Sequence, residues 1–97
     1  MIDLQKTKQI LEQNKSIIKA KYYVKAIGVF GSYVHGQQKK TSDIDILVEF
    51  SKPVGFFTYL NLEEYLEKQL GVNVDLVTKN ALKPAIGKYI LSEVLYI

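Results

Sequence analysis

The chain has 97 residues, 47% hydrophobic and 24% charged, a balance that fits a single folded domain over residues 1–97 and leaves no room for a second core or a disordered tail. No apolar run approaches the ~20 residues a membrane-spanning helix needs, and no signal-type apolar block follows the Lys-rich start, so a soluble, cytoplasmic protein is expected. With no Cys and one His, disulfides, thiolate zinc sites and histidine cages are excluded, and any metal must be held by oxygen.

The net charge of +3 conceals a segregation. Residues 1–25 hold six Lys against Asp3 and Glu12, whereas residues 43–75 hold seven acids against Lys52 and Lys68. A solvated helix face explains the basic start, and a chain without Arg lacks the guanidinium forks that read base edges, so sequence-specific nucleic-acid binding is not expected.

Leu4, Ile10, Leu11, Ile17 and Ile18 recur at helical spacing and predict an amphipathic helix over residues 3–21. Residues 24–30 form an apolar run that stops at Gly31-Ser32, which predicts strand 1 and then a short helix over residues 33–37 capped by Ser32. A polar loop leads to strand 2 over residues 43–50. Tyr59, Leu62, Leu66 and Leu70 predict a helix over residues 56–70 that stops at Gly71. Residues 72–78 predict strand 3, and Asn80 with Pro84 introduces a last helix through about Ser92. The expected order is α-β-α-β-α-β-α, an α/β (α+β) fold with a small sheet of about three strands flanked by helices.

Strand 2 opens with Asp43 and Asp45, which share one face at a strand's period of two while Ile44, Ile46 and Val48 share the other. Two carboxylates ~7 Å apart repel each other, and a divalent cation with oxygen ligands is the simplest compensation. The plainer alternative is two acids at the solvent end of a strand. Asp75 lies between Val74 and Leu76 in strand 3 and completes a three-carboxylate cluster if strand 3 neighbours strand 2. Such a cluster, with one or two metal ions, suits phosphoryl or nucleotidyl transfer. Glu49 lies on the same face but ~13 Å along the strand from Asp45, and is left out. Gly31-Ser32 offers backbone N–H groups and a hydroxyl to a phosphate, or is an ordinary capped turn. The Walker A and dinucleotide-binding patterns both fail here, and no G-x-S-x-G surrounds Ser32.

Taken together, Gly31-Ser32, Gly36, the run Ser42-Asp43-Ile44-Asp45-Ile46-Leu47-Val48 and Val74-Asp75-Leu76-Val77 resemble the minimal nucleotidyltransferase (MNT) domain of the DNA polymerase β-like superfamily. The resemblance covers nearly the whole chain, which is expected to be a complete small protein. It implies that Gly31 and Ser32 hold the nucleotide triphosphate, that Asp43 and Asp45 bind metal, and that Asp75 is the third acid, which deprotonates or orients the acceptor hydroxyl. It further implies two Mg²⁺ ions shared by Asp43, Asp45 and Asp75, ATP as substrate, and a HEPN-domain ribonuclease toxin as partner, neutralised by transfer of AMP to a tyrosine. One position departs from the pattern: His35 stands where many members have Arg, which weakens the fixed positive charge over the phosphates unless Lys39 or Lys40 substitutes. The alternatives to an active enzyme are an antitoxin that neutralises its partner by contact alone and a small basic nucleic-acid binder.

Overall fold

In the computed structural model, which describes residues 2–97, the chain opens on a capped helix. Asp3 has an extended backbone, and its carboxylate accepts the Lys6 N–H at 2.8 Å, satisfying one of the free donors at the start of helix α1 (Leu4–Gln13). The single helix expected over residues 3–21 is instead two, because Asn14 separates α1 from α2 (Lys15–Tyr22). The Asn14 side-chain amide donates to the Ile10 carbonyl at 2.8 Å and accepts the Tyr65 hydroxyl at 2.6 Å. The break is thus stabilised by a contact 51 residues away, while Leu11 and Ile18 remain buried on either side of it. Helix α2 ends at Tyr23, which adopts the left-handed conformation.

Strand β1 (Val24–Phe30) and strand β2 (Ile44–Phe50) pair antiparallel, with a register shift between Val24 and Ala26. That irregularity lets Val24 and Ile27 both face the core although they are three residues apart. The expected short helix over residues 33–37 is absent. A single 3-10 turn, Gly31–Tyr33, takes its place without a Ser32 cap, and the fully buried Tyr33 ring anchors it.

Helix α3 (Phe56–Leu70) has its expected bounds, buries Leu62, Leu66 and Leu70, and stops at Gly71 with φ 72°. It serves as the crossover that lets strand β3 (Val74–Thr78) lie parallel to β2, which is where the expectation of a three-acid face needed it. A 3-10 turn, Lys79–Ala81, leads to helix α4 (Pro84–Glu93), whose proline occupies the first turn, where no N–H is needed.

The chain order then departs from expectation, because Leu95–Tyr96 form a fourth strand, β4, antiparallel to β1. The described residues thus form a four-stranded mixed sheet in the order β3-β2-β1-β4. Leu11, Ile18, Leu62, Leu66 and Leu70 from the helices pack on Ile27, Val29, Ile44, Ile46, Val48, Val74 and Leu76 of the strands, so one sheet face is core. The alternate residues Asp45 and Asp75 are left on the other face. Among the described residues, no helix is long and apolar enough to cross a membrane.

Candidate active site

Strand pairing sets one row across the sheet. Phe30 of β1 stands opposite Asp45 of β2, which stands opposite Asp75 of β3. Residues opposite one another point to the same face, so Asp45 and Asp75 meet although 30 positions separate their numbers. The Asp75 carboxyl is near enough to act on that of Asp45 by charge and by hydrogen bonding. Asp45 is half-buried, and burial, together with the charges of Asp75, Asp43 and Glu93, pushes its carboxyl up to about 6. Asp75 is exposed and not enclosed as its apolar neighbours along the strand suggest. Asp43, also exposed, lies just before β2 and not within it.

The turn after β1 is built against this pair. Gly31 has φ +77°, and a Cβ added there would stand 2.1 Å from Asp45 Oδ2. Only glycine allows both that backbone conformation and that approach. Ser32 follows directly, half-buried, so the structure brings Gly31-Ser32, Asp45 and Asp75 into one neighbourhood with Asp43 at its edge.

Two features were not visible in the sequence motifs. The Gly31 N–H is already used: it donates to Glu93 Oε1 at 3.1 Å, while Glu93 Oε2 meets His35 Nε2 at 2.6 Å. His35 is therefore paired with an acid and not free to serve phosphate alone. The second feature is a cleft of about 270 Å³ lined by Lys40, Thr41, Ser42, Asp43, Gly71, Val72 and Asn73, so that Lys40 and Asp43 share one cleft. A larger cavity of about 460 Å³, lined by Phe50, Pro53, Phe56, Tyr59 and Thr78 among others, lies at the far ends of β2 and β3 and away from the acids. Glu49, left out of the site, lies 3.9 Å from Lys79.

The donor set matches what a hard divalent cation requires, oxygen from carboxylates that repel one another without it. Among the described residues, however, no three Asp, Glu, His or Cys side chains are gathered as a metal-holding group in this conformation. Asp45 and Asp75 form the gathered pair.

A family model described as a nucleotidyltransferase domain matches residues 7–97. The protein adenylyltransferase MntA of Thermococcus cleftensis is 45% identical over 97 residues, spanning 100% of this chain and 98% of that protein. A solved structure described as a candidate minimal nucleotidyltransferase superposes with a TM-score of 0.84 at 31% identity, covering 97% of this chain and 95% of that one. A tri-AMPylated Shewanella oneidensis HEPN toxin in complex with an MNT antitoxin gives a TM-score of 0.67 at 18% identity, covering 93% of this chain and 70% of that one, and shares the fold. With its model matched over almost the full length and the acid row and glycine turn on one sheet face, the chain belongs to the nucleotidyltransferase domain family and is an enzyme of that class.

Proposed function

We propose that this nucleotidyltransferase transfers AMP from ATP to a tyrosine hydroxyl of a HEPN-domain toxin, and so acts as the antitoxin of that pair in the cytoplasm. The observation that carries the reading is the alignment of Asp45 with Asp75 directly beside Gly31. The names borne by the MntA relative and by the solved HEPN–MNT complex support the protein acceptor.

In this reading Gly31 and Ser32 hold the triphosphate, Ser32 by its hydroxyl. Asp43 and Asp45 would hold Mg²⁺, whose contribution is to neutralise charge on the phosphate oxygens. Asp75 takes the proton of the acceptor hydroxyl. The tyrosine oxygen then bonds to the α-phosphorus, the bond to the β-phosphate breaks, and pyrophosphate leaves. Lys40, which lines the same cleft as Asp43, would supply positive charge to the phosphates in place of His35.

A second reading, neutralisation by contact alone, is favoured by the Glu93 carboxylate, which occupies the Gly31 N–H and pairs with His35. Incubating the protein with its partner toxin, ATP and Mg²⁺ and weighing both chains by intact mass spectrometry separates the two. Gain of whole AMP units by the partner, abolished by Asp43→Asn, Asp45→Asn or Asp75→Asn, supports the enzyme. A silenced partner of unchanged mass establishes the binding module.

A further inference from the structure

Glu93 closes helix α4, and its two carboxylate oxygens reach two different groups of the turn after β1. The contacts span 62 residues to Gly31 and 58 to His35. The Glu93 side chain is 12% exposed against 46% for His35, so the acid is the enclosed partner. The hydrogen bond to His35 and the Gly31 N–H hold its carboxyl below the usual range, although burial opposes them.

The segment that carries Glu93 is itself fastened. Leu95 pairs with Val29 and Tyr96 with Gly28, and the Ile97 N–H donates to the Ile27 carbonyl at 2.9 Å. Gly28 makes the close approach possible, since a Cβ there would lie 2.7 Å from Val94 Cγ2 and 2.9 Å from the Leu95 carbonyl oxygen. Glu93 is therefore held at a fixed place relative to β1.

Gly31 is the opposite case. A glycine at positive φ has more backbone freedom than any other residue, and a turn that must be ordered when its ligand arrives loses affinity by that ordering. Ser32 takes part in neither Glu93 contact.

We propose that Glu93 is a positioning residue for the phosphate turn: by holding the Gly31 N–H and His35 from an anchored strand, it fixes the turn so that Ser32 meets the nucleotide phosphate. This rests on the reading that Gly31-Ser32 holds the triphosphate. Glu93 does not touch the nucleotide; it acts through the backbone of Gly31. An acid that merely plugged the turn, to be displaced by phosphate, would act with the opposite sign.

The test measures ATP binding with Mg²⁺ by calorimetry for wild type, Glu93→Ala and Glu93→Gln, together with the Gly31 amide resonance in the nucleotide-free proteins. Glu93→Ala should weaken ATP binding about tenfold, the scale of one charge-assisted hydrogen bond, and move the Gly31 resonance. Glu93→Gln keeps an acceptor for the Gly31 N–H and should recover binding to within about threefold of wild type. Unchanged or tighter binding by Glu93→Ala, or a loss in Glu93→Gln that leaves the Gly31 resonance unmoved, overturns the proposal. Should Glu93→Ala fail to fold, Glu93→Gln decides alone: weak binding with an unmoved Gly31 resonance, or near wild-type binding with a displaced one, overturns the role, and binding that is kept or lost together with the Gly31 position supports it. Wild type that binds no ATP overturns the nucleotide reading itself, and the proposal with it.

Discussion

Asp45 and Asp75 stand directly opposite each other in the parallel register of β2 and β3, two acids on one face with Gly31 packed against the first. The arrangement is destabilised by its own charge, and that gives the site a signature independent of catalysis.

Asp45 titrates at about 6 in the fold, whereas an unfolded Asp titrates near ~3.9. The folded chain therefore holds this proton more tightly than the unfolded chain. Its contribution to stability is fully present below pH ~4 and is lost as the pH rises through ~6. In the absence of divalent cations, the melting temperature of wild type should carry a component that declines over that window. Asp45→Asn should lack this component and, at pH 8, melt at or above wild type. A clear drop in its melting temperature at pH 8 would mean that the carboxylate is structural.

Addition of Mg²⁺ at pH 8 should raise the melting temperature of wild type by mass action on the folded state, and the increment should shrink in Asp43→Asn and Asp45→Asn. Scanning fluorimetry across a Mg²⁺ titration checks this. An equal increment in wild type and both variants would remove these two acids from the metal assignment.

Gly31→Ala combines a positive φ with a Cβ 2.1 Å from Asp45 Oδ2. Backbone strain alone is worth about 1–3 kcal/mol, so chemical denaturation should show a loss of at least that order. Shortening the clashing partner in Gly31→Ala/Asp45→Ala should return part of it, because contacting residues are not additive. A fully additive double variant would show that the two groups do not touch.

Ser32→Ala should weaken ATP binding by on the order of 1–2 kcal/mol while leaving the melting temperature nearly unchanged, since the turn is anchored by the buried Tyr33 and makes no Ser32 cap. Calorimetry with ATP and Mg²⁺ reads the first and a thermal melt the second. Unaltered affinity would take the hydroxyl out of the phosphate site.

Tyr65→Phe removes the donor to Asn14 Oδ1 and should cost about 1 kcal/mol. Asn14→Ala should cost more, since it also removes the bond to the Ile10 carbonyl, and the pair should show coupling in a double-mutant cycle. Absence of coupling would mean that the helix break does not depend on α3.

Much of the candidate site was legible because its parts are local. The Gly-Ser stop after an apolar run is a consequence of glycine's backbone freedom and falls where it was expected, whereas of the two acids expected to share a face by a strand's period of two only Asp45 lies in β2, Asp43 standing just before it. The pairing of Asp45 with Asp75 was conditional on β3 lying beside β2, and the parallel register met that condition. Glu93 escaped notice because a Glu near the end of a helix pattern resembles any solvated acid. Its meaning lies wholly in the His35 and Gly31 contacts.

The sequence by itself determined β1 over Val24–Phe30 and α3 over Phe56–Leu70 with its Gly71 stop, because apolar periodicity and a left-handed cap are settled by neighbours within a few residues. Only the tertiary structure decided the break at Asn14, the two-residue strand β4 and the fastening of Glu93 to the glycine turn. Leu11 and Ile18 keep a helical phase across the break, and a two-residue strand has no period to read, so local pattern is silent there. What selects each is a hydrogen-bond partner far along the chain: Tyr65 for Asn14, β1 for Leu95 and Tyr96, Gly31 and His35 for Glu93. Backbone and side-chain groups brought out of water must find partners wherever the fold supplies them, and those partners exist only once the sheet has formed.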